Sequence, residues 1–176
     1  LQHLLFNPTD PTTLLFCYEG PWDRVEQRMW LMKWDGSQIR PLRYQEHPDL
    51  AIGHEYWLAD GRHVDYVRRW KGRPTAICRI DVDNGRETIL SHHEFSHFVS
   101  DPNGAWIVGD DAQHVALLEV NTGTVTPLIL HGQELTIANT LYHPHPAFSP
   151  DGRLIIFCCR DAHGHNDVCL IPREAR

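Results

Sequence analysis

The residues of this chain best suited to chemistry are its histidines, and the densest useful group is His143-Pro144-His145. Two imidazoles one residue apart in an extended strand lie on the same face, and neutral imidazole suits zinc, manganese, iron or copper. With His97 from the neighbouring repeat, three nitrogens would close one face of a coordination shell. The other positions would stay open to water or a substrate carboxylate, as a catalytic metal requires. No Cys-x-x-Cys element competes for the ion, and His92-His93 and His163-Gly164-His165 fall in expected loops, where solvation is the simpler reading.

A repeat must position these side chains. Four times a histidine stands seven residues ahead of a turn residue: His3 before Asp10, His54 before Gly61, His97 before Gly104 and His145 before Gly152. The histidines are 51, 43 and 48 residues apart, close to the roughly 40–50 residue period of propeller blades. Each segment reads as a short strand ending in a tight turn. An apolar run follows each turn, at Thr13–Cys17, His63–Val67, Ala105–Val108 and Leu154–Cys158, and reads as a second strand. Third strands, such as Met29–Trp34 and Ala76–Val82, end at Asp35-Gly36 and Asn84-Gly85, the turn dipeptides of hairpins. The expected fold class is all-β, a β-propeller of about four blades of four-stranded antiparallel sheet. One domain would span 1–176, with repeats at about 1–47, 48–91, 92–138 and 139–176.

Equivalent positions in successive blades sit at equivalent radii, so the four histidines should converge at the mouth of the axial channel. The structural alternative is that a histidine at each blade start holds the turn through backbone, as the Gly-His of the WD40 repeat does.

Composition narrows the function classes. The chain has a net charge of −7 and 41% hydrophobic residues, which suits a globular protein with a core. The acidic balance argues against a nucleic-acid partner, and no apolar run approaches a membrane span. Cysteines 17, 78, 158, 159 and 169 are odd in number and mostly lie in strand patterns, so they are expected to be reduced core residues in a cytoplasmic protein. The blade pattern begins and stops abruptly. A partial ring is therefore expected, whose terminal blades would expose apolar faces.

The segments Cys17-Tyr-Glu-Gly-Pro-Trp22, Gln27-Arg-Met-Trp30, Gly53-His-Glu-Tyr-Trp57, Ser96-His-Phe98 with Gly109-Asp110, and His143-Pro-His-Pro-Ala-Phe-Ser-Pro-Asp-Gly152 together resemble the oligogalacturonate lyase family, from about residue 1 to 172. The resemblance implies the C-terminal four blades of a seven-bladed propeller, with the missing blades or a second chain needed for ring closure. It also implies β-elimination of oligogalacturonides in pectin degradation with a divalent cation, most often Mn2+. His97, His143 and His145 match the family's metal-binding histidines. A glutamine completes that set in the family, and here its position is Thr140, so the fourth ligand would be water or Asn139. Arg28 and His54 match the proton-abstracting or substrate-binding positions. His3, Tyr18, Trp22 and Tyr56 are candidate substrate contacts, the aromatics by stacking on sugar faces.

The chemistry asks for these residue types. Removing the weakly acidic C5 proton of a 4-linked uronate builds charge onto the C6 carboxylate, which a divalent cation stabilises. His54 would be a base near neutral pH. Arg28 is either base or carboxylate clamp, since guanidinium normally stays protonated. Two other classes stand beside the lyase reading: a TolB-like or WD40-like propeller acting as a binding module, and a galacturonide-binding relative without activity. A hydrolytic propeller would need an activated serine, and no Gly-x-Ser-x-Gly elbow is present.

Overall fold

The computed structural model describes residues 2–21, 24–130, 143–160, 163 and 165–173. It is built from antiparallel strands that form four blade sheets in chain order. The first contains β1 (Gln2–Phe6), β2 (Thr13–Cys17), β3 (Met29–Lys33) and β4 (Arg40–Pro41). The second contains β5 (Leu50–Trp57), β6 (His63–Trp70), β7 (Ala76–Asp81) and β8 (Glu87–Ser91). The third contains β9 (His97–Ser100), β10 (Trp106–Asp110), β11 (His114–Glu119) and β12 (Val125–Leu130). The fourth has three strands among the described residues, β13 (Ala147–Phe148), β14 (Leu154–Arg160) and β15 (Asn166–Pro172), where a four-stranded blade was expected. Each sheet is an up-and-down meander, the blade unit of a β-propeller. The chain divides into two compact units, residues 1–93 and 94–176.

The hairpin turns explain why the sequence repeat was visible. The position four residues after a repeat histidine caps its own turn: Asn7 Oδ1 accepts Thr9 N at 2.8 Å and Asp10 N at 3.0 Å. Asp101 Oδ1 accepts Ala105 N at 2.9 Å, and Ser149 Oγ accepts Leu154 N at 2.9 Å. These are side chains that mimic backbone in turns. The second blade has Leu58 there, and Asp60 does the capping, accepting Arg62 N at 2.9 Å and His63 N at 3.0 Å. Gly61 must be glycine on two counts: its φ is +64°, and a Cβ would lie 2.0 Å from Thr9 Oγ1.

The core of the first unit joins Leu15, Met29 and Leu31 of the first sheet to Leu50, Ile52, Val64, Tyr66, Cys78 and Ile80 of the second. In the second unit, Val108, Val115 and Leu117 pack with Ile155 and Phe157. Burying each such aliphatic or aromatic side chain stabilises by about 1.5–3 kcal/mol.

The cysteines depart from expectation. Cys17 and Cys78 are buried thiols, but Cys158 is exposed and Cys159 is bonded to Cys169. Register explains the bond: β14 and β15 run antiparallel with Cys159 opposite Asp167 and Phe157 opposite Cys169, so the two cysteines are diagonal neighbours on one face. Cys158 points to the opposite face, as alternation along a strand requires. Among the described residues no helix is long and apolar enough to cross a membrane.

Candidate active site

In the second unit the site grows from the β9–β10 hairpin. Pairing about the Asp101–Gly104 turn sets His97 directly opposite Asp110. Asp110 is fully buried. His97 Nδ1 lies 3.3 Å from its Oδ1 and 3.4 Å from its Oδ2. Only the Oδ2 contact has hydrogen-bond geometry, at the long end of the range; Oδ1 is within ion-pairing distance of the ring but has no hydrogen-bond partner.

His143 and His145 reach the same place from the segment ahead of β13. The ring centroids are 5.0 Å apart for His97 and His143, 3.7 Å for His97 and His145, and 5.7 Å for His143 and His145. The route differs from the expected flat strand. Residues 143–146 lie outside β13, and His145 has a φ of +44°. Pro144 and Pro146 supply no N–H for a ladder, although Pro144 O accepts Cys158 N at 2.8 Å. The two rings therefore converge through a kinked backbone, 65° apart, rather than through the pleat of a strand.

The donor set fits a divalent cation. His143 Nδ1 is buried and lacks a hydrogen-bond partner, as Asp110 Oδ1 does. Ligand atoms of His97, Asp110 and His143 all lie within 4.8 Å of one another. A buried anionic oxygen and a buried imidazole nitrogen left unmet are each costly, and one cation answers both. Burial, and then the charge of His97, holds the His145 imidazole below its ordinary value of 6.5, with Asp110 opposing. His145 is thus biased toward the neutral form that ligation needs.

In the first unit, β5 and β6 lose register between Gly53 and Tyr56, and His54 within this bulge has a φ of +56°. A bulge re-aims the side chain it carries, and a left-handed histidine is an uncommon, strained choice. His54 therefore lies within its strand instead of opening it. Arg28 is 2% exposed. Its Nε donates to Ile52 O at 2.9 Å, its Nη1 donates to Gly20 O at 3.2 Å, and its Nη2 pairs with Glu19 Oε2 at 2.7 Å. The guanidinium thus grips the backbone two residues before His54. Glu55 is buried next in sequence. Burial, then the charge of Glu55, pushes the Cys17 thiol up to about 12.

The other candidates lie in the first unit or outside the described residues. Tyr18 is exposed, whereas the Tyr56 hydroxyl donates to Asp65 Oδ2 at 3.3 Å, beside the buried Asp65–Arg79 pair. His3 lies in β1, with its side chain outside the described part of the structure. Trp22, Asn139 and Thr140 lie outside the described residues. Sequence reasoning missed Asp110 as a site residue and Glu19 as the partner of Arg28. Hairpin symmetry about the Asp101–Gly104 turn was the available signal for Asp110. It also passed over His93-Glu94-Phe95-Ser96-His97, which has the spacing of a helical zinc motif. The segment is not helical here: residues 93–96 precede β9, so helix-face geometry does not apply.

Comparisons with known proteins identify the family. A family model described as oligogalacturonate lyase matches residues 1–173. An oligogalacturonate lyase from Dickeya dadantii (strain 3937) is 29% identical over 180 residues, covering 89% of this chain and 46% of the relative. A solved oligogalacturonate lyase in complex with manganese is 31% identical with a TM-score of 0.84, covering 98% of this chain and 48% of that one. TolB from Acinetobacter baumannii, 18% identical with a TM-score of 0.66, shares the fold alone. The chain spans about half the length of the relatives it matches. With its whole described length inside the matched region, the chain belongs to the oligogalacturonate lyase family.

Proposed function

We propose that this chain carries the catalytic half of a lyase that cleaves oligogalacturonides by β-elimination in pectin degradation. The observation that carries the reading is the convergence of three imidazoles beside a buried carboxylate, in a chain that the lyase family model matches almost throughout. His97, His143 and His145 would hold a divalent cation, most readily Mn2+, the ion named for the related solved structure. When bound, the ion supplies Lewis acidity toward the substrate carboxylate.

His54 is the base in this reading. Its neutral imidazole takes the C5 proton, the C–H electrons become the C4–C5 double bond, and the C4–O bond breaks with its pair going to the glycosidic oxygen, which is then protonated. Arg28 is a positioning residue, because three of its nitrogens already donate to Ile52 O, Gly20 O and Glu19. It stiffens the bulge that aims His54 and adds positive potential for an acidic sugar. Tyr18 offers an exposed ring for stacking.

Further blades complete the ring in this reading. Leu4 and Phe6 of β1 are exposed, as are Leu154, Ile156, Val168 and Leu170 of the last sheet, faces that neighbouring blades would cover. A cytoplasmic setting belongs to the same reading, and the Cys159–Cys169 pair is where a thiol count bears on it. Incubating the purified chain with digalacturonate and Mn2+ and following the unsaturated or keto product tests the activity. Product formation lost in His54→Ala supports the reading. A folded, metal-loaded chain that binds galacturonides without turnover favours a non-catalytic relative.

A further inference from the structure

We propose that Asp110 is a direct ligand of the metal centre, making it a site of histidines plus one carboxylate. The inference rests on the reading that His97, His143 and His145 hold a divalent cation, and it adds the anionic member of that set.

Buried aspartates elsewhere in this chain are met by cationic or backbone donors. Asp65 is fully buried and meets Arg79 with both oxygens, at 2.8 and 3.0 Å. Asp101 takes Arg173 Nη1 at 3.1 Å and two backbone N–H groups. Asp81 takes Arg62 at 2.7 Å and Asn84 Nδ2 at 3.0 Å. Asp110 is as buried as any of them, yet among the described residues no lysine, arginine or backbone N–H reaches its carboxylate. Among the described residues its one hydrogen-bonding or ion-pairing partner is the His97 ring, and Oδ1 has no hydrogen-bond partner. A buried carboxylate oxygen with no donor, facing a buried imidazole nitrogen that also lacks a partner, is an unmet pair that a bound cation would satisfy.

The backbone fixes this placement. Gly109, beside Asp110 on β10, lies flat against the buried Phe95 ring, where a Cβ would come within 2.4 Å of a ring carbon. The ladder holds Asp110 opposite His97 at the same time. Strand and ring together press the carboxylate toward the histidines, where its ligand oxygen lies within 4.8 Å of the His97 and His143 nitrogens. Adding a carboxylate oxygen to imidazoles shifts preference toward harder ions such as manganese, so the same residue would set metal choice.

The test is Mn2+ titration of the full chain and of Asp110→Asn, which keeps size and an acceptor for His97 but removes the charge. We expect the dissociation constant to rise at least tenfold while the metal-free melting temperature is unchanged or higher, since a buried unmet charge is gone. An Asn variant that binds Mn2+ within threefold of wild type overturns the proposal, because an orienting role through His97 survives that substitution. A folded wild type that binds no Mn2+ overturns the metal-centre reading itself, and the proposal with it. If Asp110→Asn does not fold, anomalous diffraction from Mn2+-soaked wild-type crystals decides. An ion bonded to an Asp110 oxygen supports the assignment, and an ion held by histidines with Asp110 outside the shell overturns it.

Discussion

The imidazoles of His97 and His145 lie almost on top of one another, with centroids 3.7 Å apart and planes inclined by 34°. Two protonated rings could not share that position without strong repulsion. Burial and His97 accordingly hold His145 below 6.5 when folded, while the unfolded chain titrates near 6.5. Between the lower folded value and 6.5 the unfolded state binds more protons, so this pair contributes lost stability as pH falls through that window and nothing above it. In chelator, the melting temperature of wild type should drop more between pH 7.5 and 5.5 than that of His145→Gln. Equal drops would mean that the stack is not coupled to protonation.

Arg28 is gripped by Glu19 and two carbonyls, and its removal leaves a partly exposed carboxylate, which water can meet, and two unmet carbonyl acceptors. Arg28→Ala should destabilise by about 2–4 kcal/mol in urea unfolding. His54→Ala keeps the left-handed backbone, which only glycine would relieve, and should abolish turnover with Mn2+ affinity intact. Retained turnover in His54→Ala would return the base role to Arg28.

Gly109→Ala places a methyl against the Phe95 ring. Overpacking of this kind costs about 1–3 kcal/mol. Because the displaced strand carries Asp110, Mn2+ binding should weaken in parallel, and unchanged affinity would show that β10 does not set the site.

The Cys159–Cys169 bond predicts a thiol count. Denatured without reductant, the chain should present three titratable thiols, Cys17, Cys78 and Cys158, and five after reduction. Closing a loop of ten residues stabilises by about 2–3 kcal/mol, so reduction should lower the melting temperature. Five thiols without reductant would show that the bond is not formed and would favour the cytoplasmic reading.

Much of the fold was legible because the repeat is written in turn chemistry: Asn7, Asp101 and Ser149 recur four residues after a histidine and cap the same turn. The apolar run after each turn then placed β2, β6, β10 and β14. The converging histidines were legible as a spacing, but the path of His143-Pro-His145 was not, because two prolines take that segment out of the ladder. The bulge at His54 was hidden as well, since Gly53-His54-Glu55 looks like continuous strand. Asp110 escaped because its meaning lies in what surrounds it: a buried aspartate becomes informative only when no arginine or backbone donor reaches it.

The most direct test of the central claim is Mn2+ titration calorimetry on the purified chain beside the His143→Ala/His145→Ala double variant. Saturable binding by wild type, lost in a double variant that melts cooperatively, is the predicted result. Equal binding by both proteins, or none by a folded wild type, would contradict the three-histidine centre.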